Sequence, residues 1–360
     1  MVTSYRLGSL LGDGIGPEIV PAARVVVDEA VSAAGAPAIE WVDLPMGATA
    51  LAEYGSPQPE SNKKVLAECD GWLLGPHDSA SYPKEWHDRH ERPPGGELRH
   101  YFQLYANLRP SRNRPGVPSV AQGVDLITVR ENLEGFYVDR NMTLGNGEFM
   151  PTPDIALVVG VFTRERIAKI ARVAFETARE RRKHVSIIHK SNVIPMAFGL
   201  FIDVCREVGR EYPDVEVDDY LFDAFTAHLV RHPQRFDVVV TENMFGDTLS
   251  DLAGELVGGL GMSPALNASD EHAMAQAAHG SAPDIAGRDI ANPIGMMLSS
   301  AMLLDWMGKR RDDARLIDAA GRIERAIDAT LLAGTRTGDL GGTAGTRAFA
   351  EAVGAATHTV

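Results

Sequence analysis

Short runs of aliphatic and β-branched residues alternate along the chain with longer stretches in which apolar residues recur every three or four positions. The short runs predict buried strands, which lie at residues 7–11, 72–74, 126–129, 185–188 and 238–240. The longer stretches predict amphipathic helices, which lie at residues 17–34, 165–181, 195–211, 248–257, 293–306 and 314–332. This alternation favours an α/β fold, in which helices cover a largely parallel sheet.

Two segments interrupt the alternation. Residues 79–96 are rich in Pro, His and Arg and have no apolar period, so they predict a loop or a lid. Residues 140–154 contain Asn, Gly and a Pro-Thr-Pro run before the apolar residues 155–161, and they predict a protruding arm or hairpin.

The composition narrows the class of protein. At 360 residues the chain is longer than an ordinary domain of about 100–200 residues, which predicts two domains or one large α/β unit. Its 35 Lys and Arg against 49 Asp and Glu leave a net charge of −14, so it carries no chain-wide basic field. We therefore expect neither a nucleic acid nor a membrane surface as a partner, and an anionic ligand would need a local cluster of arginines.

The sequence also carries signals about the compartment. Cys69 and Cys205 are the two cysteines of the chain and form no pairing motif, which favours a reducing compartment. The first residues lack the basic and apolar stretches of a signal peptide. No apolar run approaches the roughly 20 residues that a membrane helix needs. We therefore expect a cytoplasmic protein.

Polar side chains with catalytic potential follow three of the predicted strands. Arg130 directly follows residues 126–129, Tyr137 lies seven positions further on, and Lys190 comes just after residues 185–188. Thr241, Glu242 and Asn243 follow residues 238–240. Ligands collect at the carboxyl ends of parallel strands, so we expect these side chains to converge. A desolvated lysine can act as a general base and a tyrosine can donate a proton, although each residue taken alone also fits a structural role.

A pair of aspartates is the most specific local signal. Asp247 and Asp251 lie four residues apart in GDTLSDLAG, so a helix presents both carboxylates on one face. A hard divalent cation such as Mg²⁺ or Mn²⁺ would relieve their repulsion. The alternative is that Asp247 caps the helix while Asp251 is only solvated. Asp223 lies among apolar residues in LFDAFTAHLV, which favours a bound ligand or a buried partner.

Three arginines form a second candidate cluster. Arg99 and Arg109 are ten residues apart in ELRHYFQLYANLRP, and Arg130 lies at another strand end. Guanidinium groups bind carboxylates in a bidentate manner, so the three together would suit a di- or tricarboxylate. Each arginine alone also fits an exposed position.

Two glycine-containing segments are candidates for nucleotide binding. GDGIGPE at residues 12–18 is not a phosphate-binding P-loop and does not match G-x-G-x-x-G, and a simple tight turn explains it equally well. HGSAPDIAG at residues 279–287 is a polar loop without a cation. Asp284 in this loop could accept a hydrogen bond from a ribose diol and repel a 2′-phosphate.

The chain carries, in order, GDGIGPE, YANLRP, VRENLEGFYV, HKSNV, RFDVVVTENMFGDTLSDLAG, HGSAPDIAGRDIANP and RTGDLGG. With these motifs it resembles, over essentially its whole length, the metal-dependent β-decarboxylating dehydrogenases of the isocitrate, 3-isopropylmalate, homoisocitrate and tartrate group. The central and C-terminal parts look most like homoisocitrate dehydrogenases. The resemblance implies an isopropylmalate dehydrogenase-like two-domain fold rather than a Rossmann fold. One domain would comprise residues 1–100 plus 256–360 and bind the dinucleotide, and residues 101–255 would carry the substrate and the dimer contact.

The resemblance also implies roles for individual residues. Tyr137 and Lys190 match the catalytic acid/base pair. The substrate-binding positions are Arg99, Arg109, Arg130 and Asn192. The metal ligands, for Mg²⁺ or Mn²⁺, are Asp223, Asp247 and Asp251. The cofactor-binding positions are His279, Gly280, Ala282, Asp284, Ile285 and Asn292.

Two further properties follow from the resemblance. Lys190 and Asp223 reach into the neighbouring subunit's site in this family, which implies a homodimer and leaves a tetramer open. Members that use NADP typically carry Lys-Tyr where this chain has Asp284 and Ile285, so NAD is the implied cofactor.

The substrate is less well determined, because the chain departs from the family where the substituent on substrate carbon 3 is read. Residues 93–97, Pro-Pro-Gly-Gly-Glu, match no member class, so Arg89, His90 or Arg92 could reach the substrate instead. Gln276 stands where the family usually has a Glu. We expect oxidative decarboxylation of a 3-substituted malate of the isopropylmalate, homoisocitrate or isocitrate type. The alternatives are a tartrate- or D-malate-type dehydrogenase and a non-catalytic regulatory subunit.

Overall fold

The computed structural model describes residues 4–89, 91–137 and 147–360. The strands of the main sheet are β1 (Ser4–Leu10), β2 (Ala38–Leu44), β3 (Gly71–Leu74), β4 (Ala106–Arg112), β5 (Asp125–Glu131), β8 (His184–His189), β9 (Glu216–Leu221), β10 (Val238–Thr241), β11 (Leu266–Ala268) and β12 (Ala273–Ala275). A separate hairpin contains β6 (Glu148–Thr152) and β7 (Ile155–Val158).

Helices cover the main sheet. They are α1 (Gly16–Ala33), α2 (Ala48–Tyr54), α3 (Glu60–Leu66), α4 (Lys84–His87), α5 (Pro94–Tyr101), α6 (Arg164–Arg179), α7 (Pro195–Gly209), α8 (Phe222–Arg231), α9 (Asn243–Val257), α10 (Ile294–Arg311), α11 (Ala314–Leu332) and α12 (Thr346–Ala356). None of the helices in the described parts of the chain is long and apolar enough to cross a membrane. The predicted α/β class is confirmed.

The sheet is mixed. Its strand order is β2-β1-β3-β12-β11-β4-β5-β10-β8-β9, and the pairs in both wings are parallel. The central pairs β12–β11, β11–β4 and β4–β5 are antiparallel. The prediction of a largely parallel sheet is therefore right for the wings and wrong for the centre, where β11 and β12 have only three residues each and leave no periodic signal.

The buried apolar residues form separate clusters. One draws mainly on the two ends of the chain and includes Ile19, Leu303 and Phe349, all fully buried. In the middle of the chain, apolar residues pack against both faces of the sheet, because side chains alternate along β10. Val238 and Val240 belong to the cluster on one face, and the valine between them belongs to the cluster on the other face. The division into residues 1–100 plus 256–360 and residues 101–255 stays a prediction.

Helix α6 shows why the predicted helices form where they do. The Thr163 side chain accepts a hydrogen bond from the Arg166 amide and so caps the helix start. Apolar residues then recur at three- and four-residue spacing, and Ile167, Ile170 and Phe175 among them are buried. The observed bounds differ by one or two residues from the prediction.

The two interrupting segments have more structure than a loop. Residues 79–96 contain a short 3₁₀ turn, helix α4 and the start of α5, so the loop prediction is wrong in part. Tyr82 and Trp86 are buried and stack edge-on with ring centroids 5.1 Å apart, and the Tyr82 hydroxyl donates to Asp13 Oδ2 at 2.7 Å. The described part of the predicted arm forms the exposed β6–β7 hairpin, as expected. His90 and residues 138–146 lie outside the described residues.

Candidate active site

The carboxyl ends of β5, β10, β8 and β9 lie side by side, because these strands are parallel neighbours. Arg130 pairs in register with Thr241 at this edge, and its side chain is only 1% exposed. Its Nε and Nη2 atoms donate to Asn243 Oδ1 at 3.1 and 2.7 Å, and its Nη1 donates to Asp247 Oδ1. The guanidinium is therefore held rigidly at the sheet edge by the start of α9.

Helix α9 begins with a cap that the sequence analysis did not identify. The buried Glu242 side chain accepts hydrogen bonds from the amides of Phe245 and Met244 at 2.7 and 3.0 Å. The alternative in which Asp247 caps this helix is therefore wrong. Gly246 lets the helix approach the sheet, because a Cβ atom there would lie 2.5 Å from Arg130 Cγ.

Asp247 collects three donors. Its Oδ1 accepts from Nη1 of both Arg109, at 3.1 Å, and Arg130, and its Oδ2 accepts from the Tyr137 hydroxyl at 3.0 Å. Arg109 also donates to Ser250 Oγ at 2.8 Å. The structure thus brings together four of the predicted site residues, and two buried guanidinium groups share one carboxylate there.

Asp251 lies one helical turn further along and is bound differently. Its Oδ1 atom is buried and has no hydrogen-bond partner among the described residues, and the nearest cation is Arg109 Nη1 at 3.5 Å. Burial raises the pKa of Asp251; Arg109 opposes this shift and the charge of Asp247 adds to it. A half-exposed carboxylate with one buried oxygen, one helical turn from a second carboxylate, fits a site for a hard divalent cation.

Lys190 and Asp223 form a separate pair. They follow β8 and β9, and Lys190 Nζ donates to Asp223 Oδ1 at 2.5 Å. This hydrogen bond lowers the pKa of Asp223, whose side chain is 67% exposed. Within the described part of one chain, no hydrogen bond or ion pair joins the pair to Asp247. Among the same residues, no group of three or more His, Cys, Asp or Glu side chains is placed to hold a metal. Asn192, close by, is exposed.

Arg99 lies on α5 rather than in the Asp247 cluster. Its side chain is buried, and its Nη2 donates to Gln276 Oε1 at 2.8 Å. Arg89, which follows α4, is turned to the surface, where its Nη1 donates to the Gly55 carbonyl oxygen at 3.0 Å. Arg92 is half-buried and lies 3.7 Å from Glu97 Oε2.

The predicted nucleotide loop packs against the glycine turn that follows β1. The Ile15 amide donates to the Ser281 carbonyl oxygen at 2.9 Å. Gly14 has φ +57°, and a Cβ there would lie 1.9 Å from the same oxygen, so the close contact requires glycine. Glu18 Oε1 accepts from the Gly287 amide at 2.5 Å. GDGIGPE therefore supports the 279–287 loop, a role that no local pattern reveals.

The predicted cofactor residues occupy different environments along this loop. Burial lowers the pKa of His279. Its Nδ1 donates to the Gly280 carbonyl oxygen at 3.0 Å, because a carbonyl oxygen can only accept. Gly280 and Asp284 are exposed, whereas Ala282 and Ile285 are half-buried. Asn292 precedes α10, where its side chain accepts from the Ile294 amide at 3.0 Å and donates to Asp339 Oδ2 at 2.9 Å.

Three further residues contact the arginines or cap α9, and the sequence analysis assigns none of them a role: Asn243, Ser250 and Glu242. Glu242 and Asn243 lie at the start of α9 and Ser250 lies in its middle, positions that many structural polar residues share.

A cavity of about 740 Å³ lies on the other face of the central sheet. Leu108 and Pro110 of β4 line it on either side of Arg109, whose side chain points toward α9. This cavity is therefore distinct from the cluster of charged residues.

A family sequence model, curated relatives and a solved structure all match this chain over nearly its whole length. The sequence model of the family described as isocitrate/isopropylmalate dehydrogenase matches residues 6–353. An isocitrate/homoisocitrate dehydrogenase of Thermus thermophilus is 42% identical over 356 residues, which cover 97% of this chain and 98% of that protein. A 3-isopropylmalate dehydrogenase of Archaeoglobus fulgidus is 38% identical and covers 95% of this chain and 96% of its own length. The crystal structure of an isocitrate dehydrogenase from Methylococcus capsulatus superimposes with a TM-score of 0.86 at 36% identity, covering 98% of this chain and 99% of that one.

Proposed function

Because the chain belongs to the isocitrate/isopropylmalate dehydrogenase family of decarboxylating dehydrogenases, we propose that it oxidises and decarboxylates a 3-substituted malate with NAD⁺ and Mg²⁺ or Mn²⁺. The isopropylmalate dehydrogenase-like fold predicted from the sequence is confirmed by the family match and the structural likeness. The substrate would be of the isopropylmalate, homoisocitrate or isocitrate type, and the enzyme would act in the cytoplasm.

The observation that carries this proposal is the cluster in which Arg109, Arg130 and Tyr137 share the carboxylate of Asp247. Both guanidinium groups are desolvated and fixed, so an incoming carboxylate would meet donors that need little reorganisation. Arg99 would add a third cation. The arrangement suits a substrate with at least two carboxylates.

Asp247 and Asp251 would hold the cation, since the buried Oδ1 of Asp251 lacks a hydrogen-bond donor among the described residues. A divalent cation bound there would stabilise negative charge on the oxygen of substrate carbon 2. By neutralising Asp247, it would also leave Arg109 and Arg130 with net positive charge toward the substrate.

Two side chains would move the protons. Lys190 would accept the proton of the carbon-2 hydroxyl, directly or through water, as carbon 2 gives a hydride to NAD⁺. The resulting β-keto acid loses CO₂, and the Tyr137 phenol would then protonate the enol at carbon 3. Tyr137 lies next to Arg130, whose Cζ is 5.7 Å from the phenol ring centroid, so the ring is held at the site.

The loop of residues 279–292 would bind the adenosine half of NAD⁺. Its proposed contacts are His279, Gly280, Ala282, Asp284, Ile285 and Asn292. Asp284 is exposed and would face the ribose diol, where its charge would disfavour the 2′-phosphate of NADP⁺.

A homodimer would complete the site. No hydrogen bond or ion pair joins Lys190 or Asp223 to Asp247 within the described part of one chain, yet the proposed chemistry uses Lys190 for proton transfer and Asp223 as a third metal ligand. Val193 and Met196, next to Lys190, are 65% and 90% exposed, and Phe149 and Met150 on the β6–β7 hairpin are also exposed. Apolar surface of this kind favours burial against a second copy of the chain.

The test is a panel of malate, tartrate, isocitrate, isopropylmalate and homoisocitrate with NAD⁺ and Mn²⁺, followed by NADH absorbance. We expect turnover of at least one 3-substituted malate, loss of activity with EDTA and recovery with Mg²⁺ or Mn²⁺. Turnover of tartrate or malate alone would support the tartrate- or D-malate-type alternative. Substrate binding without turnover would instead support a regulatory subunit.

A further inference from the structure

We propose that Asp13 is a positioning residue that couples the nucleotide loop, residues 279–287, to the β3 loop, residues 76–82. This inference rests on the proposed function, because it assumes that the cofactor binds at the nucleotide loop. It goes beyond that function, since Asp13 is not among the proposed contacts with substrate, metal or cofactor.

The turn that contains Asp13 lies where the carboxyl ends of four parallel strands meet. The strands β2, β1, β3 and β12 are neighbours in this order and run parallel. The loops that follow them therefore share one edge of the sheet, which is the edge where ligands collect. The Asp13 turn follows β1, Gly47 follows β2, the β3 loop follows β3 and the nucleotide loop follows β12.

The Asp13 carboxylate binds two of these loops. Its Oδ2 accepts hydrogen bonds from the Asp78 amide at 2.9 Å and from the Tyr82 hydroxyl at 2.7 Å. Its Oδ1 accepts from the Ala48 amide, the first of α2, at 2.7 Å. A Cβ atom on Gly47, which has φ +86°, would lie 2.3 Å from Asp13 Oδ1, so this approach requires glycine. One carboxylate therefore fixes the loops that follow β2 and β3.

The backbone of the same turn extends the connection to the nucleotide loop. The Asp13 amide donates to the Pro76 carbonyl oxygen at 2.8 Å. Two residues further on, the Ile15 amide donates to the Ser281 carbonyl oxygen at 2.9 Å. The Asp13 turn thus lies between the β3 loop and the nucleotide loop and is hydrogen-bonded to both.

The β3 loop leads from this turn toward the substrate side of the site. β3 ends at Leu74, which packs in one buried cluster with Leu98 of α5. The next residue of α5 is Arg99, a predicted substrate arginine. A cofactor that orders the nucleotide loop would therefore also order the β3 loop, and a fixed β3 loop would hold α5 where it presents Arg99.

The variant Asp13→Asn tests this coupling, because it keeps the side-chain shape but not all of the hydrogen bonds. Asparagine has one acceptor oxygen and one NH₂ group, whereas the carboxylate accepts at both oxygens. In either orientation, the NH₂ group would face donors that now bind Asp13, from Ala48 or from Asp78 and Tyr82. We expect the Kd for NADH, measured by calorimetry, to rise by about tenfold or more, since the binding-competent arrangement of the loops becomes a minor fraction of the free protein.

Hydrogen exchange measures the coupling itself. In the unmutated protein, saturating NADH should slow amide exchange in the β3 loop as well as in the nucleotide loop. In Asp13→Asn, saturating NADH should still slow exchange in the nucleotide loop but no longer in the β3 loop. A residue that only stabilised the fold would change exchange in both loops without changing their response to NADH.

The chain offers a matched control at the opposite edge of the sheet. Asp313 also accepts from a tyrosine hydroxyl and a backbone amide, those of Tyr5 at 3.0 Å and Arg315 at 3.1 Å. Tyr5 lies near the amino end of β1, away from the nucleotide loop. Asp313→Asn should therefore lower the midpoint of urea unfolding but leave the Kd for NADH unchanged.

A milder variant, Tyr82→Phe, decides the question if Asp13→Asn does not fold. It removes one donor and keeps the carboxylate, so the Kd for NADH should rise by about threefold or more. Its control is Tyr105→Phe, because the Tyr105 hydroxyl donates to Asp270 Oδ1 at 2.8 Å outside the loops that Asp13 joins. Tyr105→Phe should leave the Kd for NADH unchanged.

The outcomes separate this inference from the proposed function. If the unmutated protein does not bind NADH, the cofactor assignment fails and this inference fails with it. If the unmutated protein binds NADH but Asp13→Asn leaves the Kd unchanged, only the role of Asp13 is refuted. The same conclusion would follow if NADH affected exchange in the β3 loop equally in both proteins, or if Asp313→Asn weakened NADH binding as much as Asp13→Asn.

Discussion

An Asn substitution at Asp247 of α9 should destabilise the metal-free protein, whereas the same substitution at Asp251 should not, although both should abolish metal-dependent activity. Asp247 and Asp251 lie on one helix face and carry the same charge. Their surroundings differ, because Asp247 accepts from Arg109, Arg130 and Tyr137 whereas the buried Oδ1 of Asp251 has no hydrogen-bond partner among the described residues.

Asp247→Asn should lower the free energy of unfolding because two buried arginines depend on this carboxylate. The side chains of Arg109 and Arg130 are 6% and 1% exposed, and the substitution removes the carboxylate that they share. Breaking a buried ion pair costs about 3–5 kcal/mol. Water screens the 35% exposed Asp247, asparagine keeps one acceptor oxygen and Asp251 remains near Arg109, so we expect about 2 kcal/mol.

Asp251→Asn should have no cost or stabilise the metal-free protein by less than about 1 kcal/mol: it removes a charge that Asp247 repels and that has one buried oxygen, but water screens this side chain, which is 48% exposed. Burial raises the pKa of Asp251, so the folded protein holds this proton more tightly than the unfolded chain. The metal-free protein therefore loses stability as the pH rises from the unfolded pKa through the folded pKa. Asp251→Asn should lack this loss.

The assay is urea unfolding of both variants at neutral pH in EDTA, together with calorimetric titration of Mn²⁺. Each variant serves as the control for the other, because the change in charge is identical. Both should lose Mn²⁺ affinity, and only Asp247→Asn should lower the unfolding midpoint. Equal destabilisation by the two substitutions, or unchanged Mn²⁺ affinity in either, would contradict the assignment of these carboxylates.

Three further predictions concern other parts of the molecule. Burial raises the pKa of Glu131 from 4.5 to about 7, so the free energy of unfolding should fall by up to about 3 kcal/mol as the pH rises across that range. Urea unfolding of Glu131→Gln should show no such fall, and an unchanged pH dependence in this variant would exclude Glu131 as the cause. Lys190→Met should lower kcat by a factor of about 10² or more, and Tyr137→Phe should slow enol protonation but not the isotope-sensitive hydride transfer. If either variant keeps a near-normal kcat at saturating substrate, the substituted residue is structural rather than catalytic. The value of kcat/KM for NAD⁺ should exceed that for NADP⁺ by about two orders of magnitude, and the double variant Asp284→Lys with Ile285→Tyr should narrow this difference. Equal use of the two cofactors by the unmutated protein would refute the role of Asp284.

The elements with a strong local pattern were predictable from the sequence. Helix α11 has the predicted bounds, 314–332, because its apolar residues recur with the helical period and Asp313 caps its start. The convergence of strand ends that carry Arg130 and Lys190 also follows from sequence, since β5, β10 and β8 are parallel neighbours. Arg130 and Tyr137 both contact Asp247, whereas Arg109 reaches this carboxylate from β4, which is antiparallel to β5, so the sequence does not predict the cluster of four.

The tertiary structure alone decided which groups pair. The sequence does not show that Glu242 rather than Asp247 caps α9, that the Gly14 turn supports the loop at Ser281, or that Gln276 orients Arg99. It also does not show the antiparallel centre of the sheet. Hydrophobic periodicity reports only which face of an element is buried, whereas these features are contacts between residues far apart in the chain. Such contacts depend on how whole elements pack, and a polar residue finds its partner only once that packing is complete.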